Sequence, residues 1–235
     1  LLYTPFWRSV STDLHKRELM GLVWAKLNST LIADSAEEKE FVKDVNTLVN
    51  QLVLGLEKTK LYTQVEKMSR FDGLTGLYRR HYFQERLDEE ILRVKRYGGN
   101  FCLVLIDIDY FKKLNDIYGH QAGDQILHEL GTILKENVYE TDIVARYGGE
   151  EFVLLLPRAE LDGVKRKIEN LREKIANKVF VSDWGKIQVT VSLGIAYYPH
   201  DGSSTTEILN AADEALYFSK QQGRNRLTVY GEIPK

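Results

Sequence analysis

Apolar residues recur every three or four positions at Phe41, Val42, Val45, Leu48, Val49, Leu52 and Leu56, which is the spacing of one helical face. Ser35 with Glu38 three residues on forms a capping-box signature, so one long helix is expected over 34–68. Its stripe suits a two-chain coiled-coil seam or a face packed on the residues before it, and Gly55 weakens it. Residues 1–33 hold only short β-like runs, Tyr3–Val10 and Leu19–Leu27, too little to close a core of their own. The turn-rich run Asp72-Gly73-Leu74-Thr75-Gly76 breaks the helical pattern and puts a domain boundary near Ser69.

Beyond the boundary helices and strands alternate. Helices are expected over 81–97, 124–137, 162–178 and 205–222, and strands over 101–106, 187–196 and 226–230. A hairpin of 143–146 and 152–156 turns at Gly148-Gly149. The runs Phe101 to Ile106 and Phe152 to Leu156 are apolar without alternation, as in strands covered on both faces. Residues 69–235 therefore read as an α+β domain with a mixed central sheet flanked by helices.

Composition changes this picture little. A net charge of -2 supplies no global field for gathering nucleic acid, so no such partner is expected and a phosphate-bearing ligand needs a local constellation. The single cysteine, Cys102, lies in an apolar run and reads as a core residue of a reducing compartment. No stretch approaches the ~20 apolar residues of a membrane span and the start has no charged leader, so a cytoplasmic location is expected. The chain opens without methionine in strand-like sequence, as a fragment of a longer protein would.

The candidate chemistry gathers at strand ends. Asp107 and Asp109 close the most apolar strand, and Glu150 and Glu151 follow the Gly148-Gly149 turn. If the hairpin lies beside that strand the four acids converge. Two like charges ~4 Å apart repel by about 4 kcal/mol at an effective dielectric of ~20, so the cluster needs a cation, and oxygen donors suit Mg²⁺. Spacing alone leaves open that these acids merely cap neighbouring helices. Lys112 follows the acidic strand end, where its ammonium would meet a triphosphate; Asn115 and Asp124 together offer the donors and acceptors that fit guanine. Asp124 equally suits an N-cap of the helix it opens. Gly148 and Gly149 are either a hairpin turn or a place where a phosphate or ribose meets bare backbone. Lys220 and Arg224, one turn apart at the end of the last helix, are either a solvated helix end or phosphate ligands.

Taken jointly, the residues resemble the GGDEF family of diguanylate cyclases over about 69–231. Arg146-Tyr147-Gly148-Gly149-Glu150-Glu151-Phe152 is its signature in the GGEEF form. The others are Asp72-Gly-Leu-Thr-Gly-Leu77, Asp107 to Asp116, Gly119 to Asp124, Val191 to Ile195, Ala211 to Tyr217, Lys220 and Gly223 to Asn225. The resemblance implies a nucleotidyl-cyclase-like fold and a reaction between two subunits, each binding one GTP, that yields cyclic di-GMP and two pyrophosphates. It implies two Mg²⁺ per site, with Mn²⁺ able to substitute, held by Asp107, the carbonyl of Ile108, and Glu150 or Glu151. Guanine would be read by Asn115 and Asp124, and the ribose or nearby substrate met by His120. Phe111, Gly148 and Gly149 would line the substrate site. Lys112, Lys220 and Arg224 would hold phosphates, with Lys112 and Glu150 assigned catalytic roles and Glu150 deprotonating the 3′-hydroxyl.

The helix over 34–68 would then be a signalling linker that joins a homodimer, and residues 1–33 resemble the tail of a GAF sensory domain. The competing reading is a non-catalytic GTP-binding regulatory module. Two departures stand out. Where many members carry an inhibitory Arg-x-x-Asp, this chain has Tyr139-Glu140-Thr141-Asp142, so product feedback is expected to be weak; Arg172 reads as a surface helix arginine or part of a secondary inhibitory site. The entrance also reads Leu77-Tyr78-Arg79-Arg80 where asparagine usually precedes the arginine.

Overall fold

A computed structural model describes residues 2–9, 17–25, 36–68, 70–182 and 185–234. The chain divides into two units, Leu1–Met68 and Ser69–Lys235. In the first, β1 (Leu2–Ser9) and β2 (Arg17–Ala25) pair antiparallel, with Leu2 opposite Ala25 and Ser9 opposite Arg17. Helix α1 (Ala36–Met68) follows. Val49 is buried, whereas Leu48, Leu52, Leu54, Leu56 and Val65 are largely exposed. The expected capping residue Ser35, the strand ends Val10 and Leu27, and the boundary residue Ser69 lie outside the described residues.

The second unit is a six-stranded mixed sheet with helices on both faces. Its elements are β3 (Tyr78–Arg79), α2 (Arg80–Tyr97), β4 (Phe101–Ile108), α3 (Phe111–Tyr118), α4 (His120–Glu136), β5 (Ile143–Arg146), β6 (Glu151–Pro157), α5 (Leu161–Asn177), β7 (Phe180–Ser182), β8 (Gly185–Ile187), β9 (Val191–Tyr198), α6 (Thr205–Gln221) and β10 (Leu227–Val229). The strand order is β10-β9-β4-β6-β5-β3; the two edge strands pair parallel and the interior pairs antiparallel.

Strand β4 is apolar at every position but Asp107, as befits a strand covered on both faces. Cys102, Val104, Ile106 and Ile108 pack in a core with Leu114, Ile126, Leu130, Ile168 and Ile175 of α3, α4 and α5. Phe101, Leu103 and Leu105 pack in the opposite core with Phe83, Leu87, Ile208, Ala212 and Leu216 of α2 and α6. Each such side chain contributes about 1.5–3 kcal/mol when fully buried, which is what pins the strand end that carries the acids. Burial also pushes the Cys102 thiol up to about 12, so it is an unreactive core group.

Helix α6 lies unusually close to the sheet. A Cβ on Gly194 of β9 would overlap the backbone of Ala212 and Leu216, so only glycine permits this approach. Ser219 then donates to the carbonyl of Leu193 at 2.8 Å and fixes the register of the helix end.

Several expectations need correction. Residues 111–118 form a helix that the pattern did not announce, because only Phe111 and Leu114 of its eight residues are buried. One residue, Gly119 at φ 83 and ψ 162, separates it from α4, a conformation essentially reserved for glycine. Helix α4 consequently starts at His120, and Asp124 is an exposed residue within it rather than its N-cap. Ile187 belongs to a separate β7–β8 hairpin, not to β9. Strand β3 was also unforeseen.

Candidate functional site

Strand alternation sends Asp107, like Leu105, toward the α2 and α6 side of the sheet. There Lys220 from the last turn of α6 places Nζ 2.8 Å from Asp107 Oδ2. Burial pushes the Asp107 carboxyl above its ordinary range; Lys220 opposes the shift and Asp109 adds to it. Glu151 faces Asp107 across the β4–β6 ladder, and Glu150 precedes it. The Glu150 carboxyl is also raised, first by burial and then by Asp107 and Glu151. Three acids and one ammonium thus share one end of the β4–β6 ladder.

The fourth acid has another job. Asp109 accepts hydrogen bonds from Thr190 Oγ1 and Ser192 Oγ, both at 2.6 Å, and from the Asn225 amide at 3.0 Å. With both oxygens engaged, it anchors the loops around the site while its charge still bears on Asp107. Thr190, Ser192 and Asn225 were not assigned this role from sequence, since nothing in their spacing announces a shared partner.

The Gly148-Gly149 turn is held from outside by Arg146. Its Nε and Nη2 donate to the Gly149 carbonyl at 3.1 and 2.7 Å, and its Nη1 donates to Asp72 at 3.2 Å. Bonds from Thr75 and Arg146 outweigh burial and hold the Asp72 carboxyl below its usual range. The expected hairpin forms, with β5 and β6 paired antiparallel around this turn, and neither turn glycine has positive φ. A Cβ on Gly148 would displace the Glu151 carboxylate, the far end of a flexible side chain. Around Gly149 a Cβ would meet no atom within 4 Å, so the chain's own packing does not demand glycine there.

On the other side of β4, α3 and α4 form a shelf. The amide of Asn115 lies against Gly123, where a Cβ would overlap its oxygen, and that buried Oδ1 has no hydrogen-bond partner among the described residues. Asp124 and His120 are exposed on the adjoining turns of α4. The Phe111 side chain is buried in the core, so its backbone amide is what it can present. Helix α3 has no side-chain N-cap, leaving its first-turn amides as donors beside the acidic strand end. Lys112 is exposed there and forms no ion pair among the described residues.

Arg224 is not on the last helix, as its spacing from Lys220 had suggested. It lies beyond Gln221 in a left-handed pair with Asn225, at φ 64 and 45. Arg172 is half-buried and engaged: its side chain is 13% exposed, bonded to Glu169 and donating to Asn225 Oδ1 at 2.7 Å. Asp142 accepts from the Tyr139 amide at 2.9 Å and from Lys167 at 2.8 Å, and Lys167 sits 4.1 Å from the Tyr139 ring centroid.

Among the described residues no three His, Cys, Asp or Glu side chains are arranged to hold a metal by themselves. The donor set fits a metal shared with a ligand: Mg²⁺ in phosphate chemistry takes one or two carboxylates and completes its octahedron with phosphate and water oxygens. Asp107 and Glu150, whose carboxyls are raised by burial first and by neighbouring acids next, fit that description. No described helix is long and apolar enough to cross a membrane.

The family model described as diguanylate cyclase, GGDEF domain, matches residues 69–226. Diguanylate cyclase A of Treponema denticola is 39% identical over 177 residues, covering 74% of this chain and 48% of that protein. Diguanylate cyclase DgcP of Pseudomonas aeruginosa is 34% identical over 231 residues, covering 93% of this chain and 34% of its own length. The chain thus spans about half or less of these curated relatives. The crystal structure of the coiled coil and GGDEF domain of DgcB from Caulobacter crescentus, in complex with c-di-GMP, superposes with a TM-score of 0.66 at 31% identity, covering 81% of this chain and 98% of that one.

Proposed function

The chain belongs to the GGDEF family of diguanylate cyclases, and from that premise we propose that it condenses two GTP molecules into cyclic di-GMP as a Mg²⁺-dependent dimer. The observation that carries this reading is the Asp107–Lys220 contact of 2.8 Å within an acid cluster. An acid suited to a metal and a cation suited to a phosphate arrive at one point from β4 and α6.

In this reading Asp107, the Ile108 carbonyl and Glu150 or Glu151 would hold two Mg²⁺ per site, with Mn²⁺ able to replace them. When bound, the metal neutralises phosphate charge and acidifies the attacking hydroxyl. Asn115 and Asp124 read guanine, and His120 meets the ribose. Lys112, Lys220, Arg224 and the first amides of α3 hold the phosphates. Gly148 and Gly149 let the nucleotide approach bare backbone, which accounts for a glycine at 149 that packing does not require.

Glu150 takes the proton of the 3′-hydroxyl. The 3′-oxygen bonds to the α-phosphorus of the GTP on the facing subunit, and the bond from that phosphorus to the β-phosphate oxygen breaks, releasing pyrophosphate. The same step in the opposite direction closes the ring. Positioning and electrostatics supply the acceleration.

Residues 34–68 serve as the linker helix that pairs two copies, residues 1–33 are the tail of a GAF-like domain, and 69–235 is the cyclase. Exposed Leu48, Leu52 and Leu56 support the pairing, as does the coiled coil named in the DgcB structure. The chain is incubated with GTP and Mg²⁺ across a range of protein concentrations, and again after fusion to a strong dimeriser, with chromatography of the products. Cyclic di-GMP whose rate rises faster than linearly with protein is expected. Its absence in the forced dimer sinks the reading.

A further inference from the structure

Tyr110 is the residue between the acidic strand end and α3. Its backbone is left-handed, at φ 57 and ψ 28, a conformation that bulky side chains seldom adopt. It is also 63% exposed, so core packing does not hold it there. Its side chain meets Arg224. The guanidinium lies 4.5 Å from the Tyr110 ring centroid, and Nη1 donates to the phenol oxygen at 3.3 Å.

Arg224 needs such a partner. Its backbone is well anchored: the amide bonds to Ser219 at 3.0 Å, and the next residue, Asn225, is held by Asp109 and Arg172. The side chain is not. Among the described residues its one side-chain hydrogen bond goes to Tyr110, and it is close enough to Asp107 to oppose the rise of that carboxyl. An arginine side chain free to rotate loses much of its affinity for a phosphate to ordering, and a ring beneath its plane removes that penalty.

We propose that Tyr110 is a positioning residue that presents the Arg224 guanidinium to the phosphates of GTP. The proposal rests on the cyclase reading, in which Arg224 grips phosphate. The left-handed backbone at Tyr110 aims the ring across the mouth of the site, and the left-handed backbone at Arg224 delivers the guanidinium onto it. Two segments 114 residues apart thereby fix one cation.

The test measures GTP kinetics of the 235-residue chain for wild type, Tyr110→Phe, Tyr110→Asn, Arg224→Ala and the Tyr110→Asn/Arg224→Ala double variant. Asparagine adopts the left-handed region readily, so α3 still starts normally while the ring is lost. Tyr110→Asn should raise KM by about two- to fivefold, the range an exposed cation–π contact converts to, and leave kcat nearly unchanged. Tyr110→Phe keeps the ring and should stay within about twofold of wild type. In the Arg224→Ala background Tyr110→Asn should add nothing. A wild-type KM for Tyr110→Asn, or an equal penalty with and without Arg224, overturns the proposal. If wild type makes no cyclic dinucleotide the cyclase reading fails separately, and the same cycle is read on the Kd for GTP; absence of GTP binding overturns both.

Discussion

Gly123→Ala places a methyl group where the shelf between α3 and α4 has no room. The new Cβ would overlap Asn115 Oδ1 and lie 3.0 Å from both Asn115 Cγ and Phe111 Cζ. Phe111 is locked in the core, whereas Asn115 Oδ1 has no donor to lose, so the amide is the group that gives way. Overpacking of this kind costs about 1–3 kcal/mol, and replacing glycine by alanine inside a helix returns about 1 kcal/mol. The net is about 1 kcal/mol, which lowers Tm by roughly 2–4 °C in a domain of this size. The functional loss should be larger. An amide swung out of place forfeits two hydrogen bonds to the base, about 2 kcal/mol together, or a roughly thirtyfold rise in the KM for GTP. Initial rates against GTP, run beside thermal melts, separate the two effects, and Asn115→Ala should reproduce the KM change without the steric one. The double variant should be no worse than Asn115→Ala alone. A Gly123→Ala protein that melts a few degrees lower yet keeps the wild-type KM would refute the assignment of Asn115 as the base reader.

Two further outcomes follow from the charges. Glu150 and Asp107 are both raised, by burial first, so each stays protonated to higher pH than a free carboxylate; kcat/KM should fall as pH drops through those raised values, and a profile flat down to about pH 4.5 contradicts their roles. For stability the sign reverses: the folded state holds these protons more tightly than the unfolded chain, so the stability they lend is greatest at acid pH and is lost as pH rises through the raised values. Glu150→Gln should accordingly melt higher than wild type at neutral pH while losing activity, as differential scanning calorimetry and product assays will show. Added cyclic di-GMP should inhibit weakly, because Asp142 is already engaged by Lys167 and the Tyr139 amide and no arginine stands at 139; submicromolar inhibition in a titration would reverse that conclusion.

What was legible in the sequence was whatever local pattern dictates. The unbroken apolar run of β4 announced a strand covered on both faces, and it lies between β9 and β6 with helices above and below. Helix α3 was illegible because eight residues with two buried side chains make no period, and its start depends on the backbone of Tyr110 rather than on a capping residue. Asp124 was misplaced as a cap for a related reason: Gly119 already ends one helix and opens the next, so the chain needed no side-chain cap five residues later. Arg224 was drawn onto the last helix by its spacing of four from Lys220, a rule that holds only while the helix continues.

Asp107 and Asp109 show why the site itself was only half readable. They stand two residues apart on one strand end and look interchangeable in the sequence, yet their surroundings assign them opposite work. Asp109 meets Thr190, Ser192 and Asn225, which come from 81 to 116 residues away, and a carboxylate with both oxygens engaged has little left for a metal. Asp107 meets the Lys220 ammonium, with Arg224 nearby, yet burial and the neighbouring acids still raise its carboxyl, so added positive charge would favour its ionised form. The first arrangement makes the second possible: by tying Asn225 and the loop before β9 to the strand, Asp109 fixes the frame on which Lys220, Arg224 and Tyr110 converge. Asp109→Asn would still accept one hydroxyl bond but must turn an NH₂ toward another donor, so it should loosen that frame and weaken GTP binding without removing a ligand from the metal.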